Sequence, residues 1–329
     1  MHPEMENYLR VLRRDDPTHV CYPTPTRGAA YRGAWPAQTR PDEDTLEWRD
    51  EWGVLWRDLE GEIFPVGPAV QSCEQVGEIE PPDPAAPGRM APLERVAADL
   101  DRDRYFLGVT HPYFMYEKAI DILGPEEFGV AMLAAPERAH ELLDKILEFE
   151  LGIAREYVRF EPDEAMLNDD FGHQDRLAMS PDCWRKFFKP RLKTMVDFYR
   201  EHIGPDAPVG LHSCGHVMPI LEDLMEVGIT ILHPVQSTAN DLPELRRITS
   251  GRMTLAGGID GQKTLPLGTP EDVRRETLRK LEMLWENGGY LPMPEKRHGV
   301  PEENLDAMKQ AIRDWSRENV ESRPDLTTT

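Results

Sequence analysis

A distorted (β/α)8 TIM-type barrel with an N-terminal extension is the fold class that this 329-residue sequence predicts. Three observations predict it. Beyond about residue 100, short apolar runs alternate with amphipathic helical patterns, the mark of a parallel sheet. Polar residues able to do chemistry gather where those runs end, and parallel α/β proteins carry their chemistry at the C-terminal ends of strands. No glycine-rich dinucleotide or phosphate fingerprint follows any run, which speaks against the open nucleotide-binding folds.

Taken in order, residues 1–100 form the extension. The segment MHPEMENYLRVLRRDD predicts a short polar helix, an early strand is expected over residues 19–23, and EWRDEWGVLWRDLEG and PPDPAAPGRMAP predict turns and a hairpin. Trp48, Trp52 and Trp56 recur every four residues and are expected to pack the extension onto the barrel. Residues 101–329 form the barrel itself, with strands expected at 105–110, 165–169, 209–213, 229–235, 253–257 and 289–293. Ser180 caps and Pro181 opens a helix with a buried stripe of Trp184, Phe187, Phe188, Leu192, Met195, Val196 and Tyr199. Thr269 caps another, with Val273, Leu278, Leu281 and Trp285 inward. The six runs and the early strand favour closure into an eight-stranded barrel over an open sheet.

A net charge of −22 argues against a nucleic-acid backbone or an anionic membrane surface as partner. The 40% hydrophobic content is ample for a buried core. There is no run of 18 apolar residues, and the N-terminus lacks a secretory apolar core. The four cysteines, Cys21, Cys73, Cys183 and Cys214, have irregular spacing and form no C-x-x-C pair, so a disulfide framework is not expected and a cytoplasmic location is. Such a chain is compatible with a homo-oligomer.

The chemistry concentrates in GLHSCGHVMPILEDLMEVGITILHPVQ, residues 210–236. In extended backbone, side chains at i and i+2 share a face, so His212 and Cys214 converge where a metal ion could sit. A tight turn with an inert buried cysteine is the competing reading. A helix follows, with Val217, Ile220, Leu221, Leu224 and Met225 at helical spacing, Pro219 in its first turn and Gly228 at its stop. Asp169 and Asp170 end another strand and are candidates for acid/base work or substrate contact, since paired carboxylates can have their pKa values pushed apart. Their alternative role is to cap the loop that follows. His173, His233, Gln236, Asp260 and Tyr290 are candidate substrate-binding residues, against a plainer role as hydrogen-bonding walls. Cys183, beside Trp184, is expected to be structural, and the acidic runs are expected to be solvated helix faces.

Four segments, NDDFGHQDRLAMSPDCWRKFFKP, the stretch around His212, AGGIDGQKTLPLGTPEDVRRE and NGGYLPMPEKRHGVPEENL, resemble in order the landmarks of the uroporphyrinogen decarboxylase superfamily, over roughly residues 100–318. The resemblance implies a distorted (β/α)8 barrel. It also implies one of two activities, cofactor-free decarboxylation in the porphyrin pathway or zinc-dependent methyl transfer from a corrinoid protein. The resembled decarboxylases carry an arginine-rich R-Q-A-G-R-Y-type segment and an aspartate segment. Here PTPTRGAAYRGAW offers Arg27 and Arg32 in a different pattern, while RHGVPEEN, with His298, resembles the decarboxylases' H-G-x-x-P ending. The resembled methyltransferases carry H-x-C-G at a strand end, matched by His212, Cys214 and Gly215, and a cysteine after G-G-Y. No cysteine lies between Gly288 and Asn304, so His298, or an acid such as Glu295, is the candidate replacement ligand. The resemblance thus implies zinc as cofactor and, as partner, a corrinoid protein or a small-molecule methyl donor or acceptor, with His298 serving as metal ligand or catalytic residue. Tetrapyrrole-type decarboxylation and a non-catalytic metabolite- or corrinoid-binding barrel are the alternatives.

Overall fold

The computed structural model describes residues 1–296 and 299–322. Its ten strands are β1 (Thr26–Ala30), β2 (Glu47–Arg49), β3 (Leu55–Leu59), β4 (Glu62–Gly67), β5 (Phe106–His111), β6 (Glu164–Asn168), β7 (Val209–His212), β8 (Ile231–His233), β9 (Thr254–Ile259) and β10 (Tyr290–Pro294). Seven of them form one sheet in the order β1-β5-β6-β7-β8-β9-β10, every neighbouring pair parallel. All seven contribute to the wall of one internal cavity, so the sheet curls around a common lumen. An eighth strand was expected, and among the described residues this sheet has seven.

The six strands expected beyond residue 100 are all present, shifted by a residue or two at their ends. The early strand lies elsewhere. It was expected over residues 19–23 and occupies Thr26–Ala30, after Pro23 and Pro25, which have no N–H to give a ladder. The second difference lies in the helix opened by Ser180, which accepts from the Cys183 N–H with Pro181 in the first turn. It ends at Phe187, and a second helix runs Lys189–His202. Pro190 explains the break, because a proline ring clashes with the carbonyl four residues back and cannot donate. The stripe nonetheless stays buried from Trp184 to Tyr199, each large apolar side chain contributing about 1.5–3 kcal/mol of transfer free energy.

The helix Pro3–Arg13 lies across the N-terminal mouth of the barrel. Its inner face is Met5, Tyr8 and Val11, buried with Phe106, Ile231, Ala256 and Leu291 at or near the strand starts. Polar contacts fix it there: the Val11 carbonyl accepts from the Gly289 N–H at 2.7 Å, Arg14 donates to the Met253 carbonyl at 2.6 Å and Tyr8 donates to Glu164 at 2.8 Å. Strands β2–β4 make a separate antiparallel sheet, with the β3–β4 hairpin turning at Glu60 and Gly61, both at positive φ as a two-residue turn requires. Trp48, Trp52 and Trp56 are buried, Trp52 edge-on to Phe149 and Trp56 edge-on to Tyr113, so they do pack this segment against the barrel's own elements. No described helix is long and apolar enough to cross a membrane.

Candidate metal centre

Asn168, His212 and His233 pair in register as the last layer of β6, β7 and β8. The ladder runs one residue further: the Asp169 N–H donates to the His212 carbonyl at 2.8 Å and the Ser213 N–H to the His233 carbonyl at 2.7 Å. That continuation keeps the alternation of faces alive past the strand end, and His212 and Cys214 emerge side by side. Cys214 Sγ lies 3.5 Å from His212 Nε2, which in turn lies 3.7 Å from Asp170 Oδ1. One ligand atom from each of Asp170, His212 and Cys214 lies within 4.8 Å of the other two.

The loops are built to hold this convergence. Asp170 Oδ1 accepts the Cys214 N–H at 2.8 Å. Gly215 sits at φ +79°, and a Cβ there would collide with the Gly172 and His173 carbonyl oxygens, so the glycine of H-S-C-G is what lets two loops touch. Gln236 accepts the Gly215 N–H, and the His173 carbonyl accepts the His216 N–H. His212 Nδ1 is 2.8 Å from His233 Nδ1, which fixes the ring and turns Nε2 toward Cys214 and Asp170.

The site has excess acid. Burial, then Asp170 and Asp169, push Glu117 up to about 9, and its carboxylate accepts the Asp170 N–H at 3.3 Å. Burial, then Asp170, push the Cys214 thiol up to about 12. Burial, then His212, hold His233 down to about 3, so this imidazole stays neutral. Glu295 accepts the Ser237 N–H at 2.7 Å, while its Oε2 is buried with no hydrogen-bond partner. Among the described residues, no lysine or arginine forms an ion pair with Glu117, Asp170 or Glu295. A divalent cation is the species such a setting favours.

The structure separates the two adjacent aspartates. Asp170 faces the cluster. Asp169 is fully buried and spends both oxygens on the Met115, Tyr116 and Glu117 N–H groups, capping the helix Tyr116–Leu123. Of the other candidates, His233 and Gln236 support the cluster, and His173 meets it through backbone. Asp260 accepts from Gln262, Lys263 and Thr264 at the start of the next short helix, and the buried Tyr290 donates to the Gly257 carbonyl at 2.9 Å. His298 lies outside the described residues. Glu117 is the site residue that sequence reasoning missed. Its only signal was an acid in the first helical turn after β5.

Residues 60–315 match the family model described as uroporphyrinogen decarboxylase (URO-D). Among solved structures, a methyltransferase from Methanosarcina mazei superposes with a TM-score of 0.71 at 18% identity, covering 95% of this chain and 98% of that one. No curated protein matches the chain.

Proposed function

The chain belongs to the uroporphyrinogen decarboxylase family, and from that premise we propose that it is a zinc-dependent methyltransferase exchanging a methyl group with a corrinoid cofactor carried by a partner protein. The convergence of Asp170, His212 and Cys214 carries the reading. Zinc bonded to nitrogen, sulfur and oxygen at its usual lengths implies neighbouring ligand atoms about 3.3–3.8 Å apart in a tetrahedron. The 3.5 Å and 3.7 Å separations fit that spacing before any metal arrives, and all three atoms lie within 4.8 Å of one another, so a small closure completes the triangle. Three protein ligands leave a fourth position open, the arrangement of catalytic zinc. When bound, the metal supplies Lewis acidity that keeps an acceptor's attacking atom deprotonated near neutral pH. His233 orients His212, Glu117 and the Cys214 N–H hold Asp170 in place, and Gln236 with Gly215 sets the height of Cys214. The match to a Methanosarcina mazei methyltransferase supports the fold on which this chemistry is placed.

Metal analysis of the purified protein, paired with a methylcobalamin demethylation assay, tests the proposal. About one zinc per chain is expected, with activity lost on chelation and restored by zinc. Full activity in metal-free protein would overturn it.

One observation favours decarboxylation instead. Arg32, Arg40, Arg49 and Arg89 line a cavity of about 570 Å³ beside the small sheet, a cluster that could receive carboxylates. Three of the four are already engaged, Arg40 with Asp58, Arg89 with Glu51 and Arg49 with the Gly53 carbonyl, and Arg27 stacks on Tyr105 away from that cavity. Anaerobic incubation with uroporphyrinogen tests the readings against each other: stepwise loss of its carboxylates would favour the decarboxylase, and silence in both assays would move weight to a non-catalytic binding barrel.

A further inference from the structure

Beneath the metal centre the curled sheet encloses a cavity of about 390 Å³, within the range of small-molecule sites. His212 and His233 line one end. Tyr8, Thr26 and Glu164 line the other, where the helix Pro3–Arg13 closes the barrel. Glu164 and Asn168 stand at opposite ends of β6 and face the lumen together, about 13 Å apart at strand rise. The stretch between them is apolar, with Met166, Ile231 and Leu291 among its walls.

Glu164 is the singular residue of this lining. It receives the Tyr8 hydroxyl at 2.8 Å and forms no ion pair, and no lysine or arginine lines the cavity among the described residues. Burial pushes its carboxyl up, while the Tyr8 and Thr26 hydroxyls work in the opposite direction. Gly108, its register neighbour on β5, lets the wall close up on the carboxylate: a Cβ there would come within 2.9 Å of Thr26 Cγ2 and 3.5 Å of Glu164 Oε1. At the upper end, Asn168 Oδ1 is buried without a hydrogen-bond partner, level with His212. A buried acid lacking a counter-cation is costly unless something else supplies one.

We infer that this lumen binds an elongated small molecule with an ammonium-type cation at its far end, held by Glu164, and its near end beside His212 and Asn168. Glu164 is then the residue that sets specificity, and ligands ending in sulfonate, phosphate or carboxylate are excluded. As a description of the methyl acceptor or donor, the inference rests on the methyltransferase reading; as a statement about the lumen it does not.

The test is calorimetric titration of the full chain, metal-stripped and zinc-loaded, with n-hexylammonium, 1-hexanol and hexanoate. Hexylammonium should bind at least about tenfold more tightly than hexanoate, a single hydrogen-bonded charge contact being worth that much, with hexanol between them. Glu164→Gln should level the series, and Tyr8→Phe, which keeps the carboxylate, should preserve its order. If Glu164→Gln does not fold, the wild-type order alone decides. Hexanoate binding as tightly as hexylammonium, an unchanged order in Glu164→Gln, or binding of none of the three would overturn the inference. A chain that takes up no zinc yet shows the order would lose the methyltransferase reading alone, and a zinc-binding chain without the order would lose only the lumen inference.

Discussion

Around Arg246, at the N-terminal mouth of the barrel, the charged side chains are answered, while around Asp170, at the C-terminal mouth, the described acids form no ion pair with a lysine or arginine. Below, Arg246 donates to the carbonyls of Leu284, Gly289, Thr249 and Met253, Arg14 donates to Met253, and Glu286 lies 3.5 Å from Arg14 and accepts from Ser250 and Gly251. Above, Glu117, Asp170 and Glu295 crowd around a protonated thiol and two histidines, and among the described residues none of the three acids forms an ion pair with a lysine or arginine. The difference separates two uses of burial. The satisfied polar groups around Arg246 add stability, whereas the acids around Asp170 hold a cost that a bound cation can relieve.

Substitutions at the two mouths should therefore fail in different ways. The largest effect is expected for Cys214→Ala, which removes the one thiolate donor: zinc content should fall close to zero with methyl transfer, while the thermal midpoint of the metal-free protein moves little. Retention of stoichiometric zinc would break the contrast at its centre. Next comes Arg246→Ala, predicted to cost about 3 kcal/mol in urea denaturation, because several carbonyls lose a buried donor, and to leave zinc affinity where it was. A variant that unfolded no more easily would show that the lower network is decorative. His233→Ala should follow, lowering zinc affinity about 10–100-fold by freeing the His212 ring, measured by competition with a chromophoric chelator.

The smallest effect belongs to an acid that is answered. The Thr269 hydroxyl and N–H, with Arg275, hold Asp272 down to about 2 in the capping box of the helix Pro270–Leu284. A depressed carboxyl stabilises the fold above its unfolded value of 3.8 and loses that contribution as pH falls toward about 2. The stability gap between wild type and Asp272→Asn should thus be full at pH 5 and narrow as pH drops below about 4. A gap that stays constant with pH would assign the cap's value to geometry and not to charge.

Much of this was legible in sequence, for definite reasons. The runs at 209–213 and 229–235 are apolar and bounded, so their strands and the shared face of His212 and Cys214 followed from alternation alone. Asp169 and Asp170 were legible as a pair but not as individuals. Neighbouring residues point to opposite sides, and which side faces His212 and Cys214 is set by loops that meet only in three dimensions, through Gly172 and Gly215. Glu117 was hidden for the same reason, more than fifty residues before Asp170 and brought beside it by the helix that Asp169 caps. The early strand was misplaced because apolar content outweighed the two prolines, and the break at Phe188 because an unbroken stripe concealed Pro190.

The helix across the lower mouth also bears on how the chain is made. Pro3–Arg13 leaves the ribosome long before β9 and β10, yet Leu12 receives a hydroxyl from Thr254, 242 residues later, and Val11 an amide from Gly289. Part of its apolar face therefore lacks Ala256 and Leu291 until those strands are made, and contacts so distant in sequence form slowly. A segment whose docking is completed by β9 and β10 acts as a seal on those strands: a chain stalled before β9 would leave the barrel open at the bottom, with Met5, Tyr8 and Val11 only partly covered and open to a quality-control system.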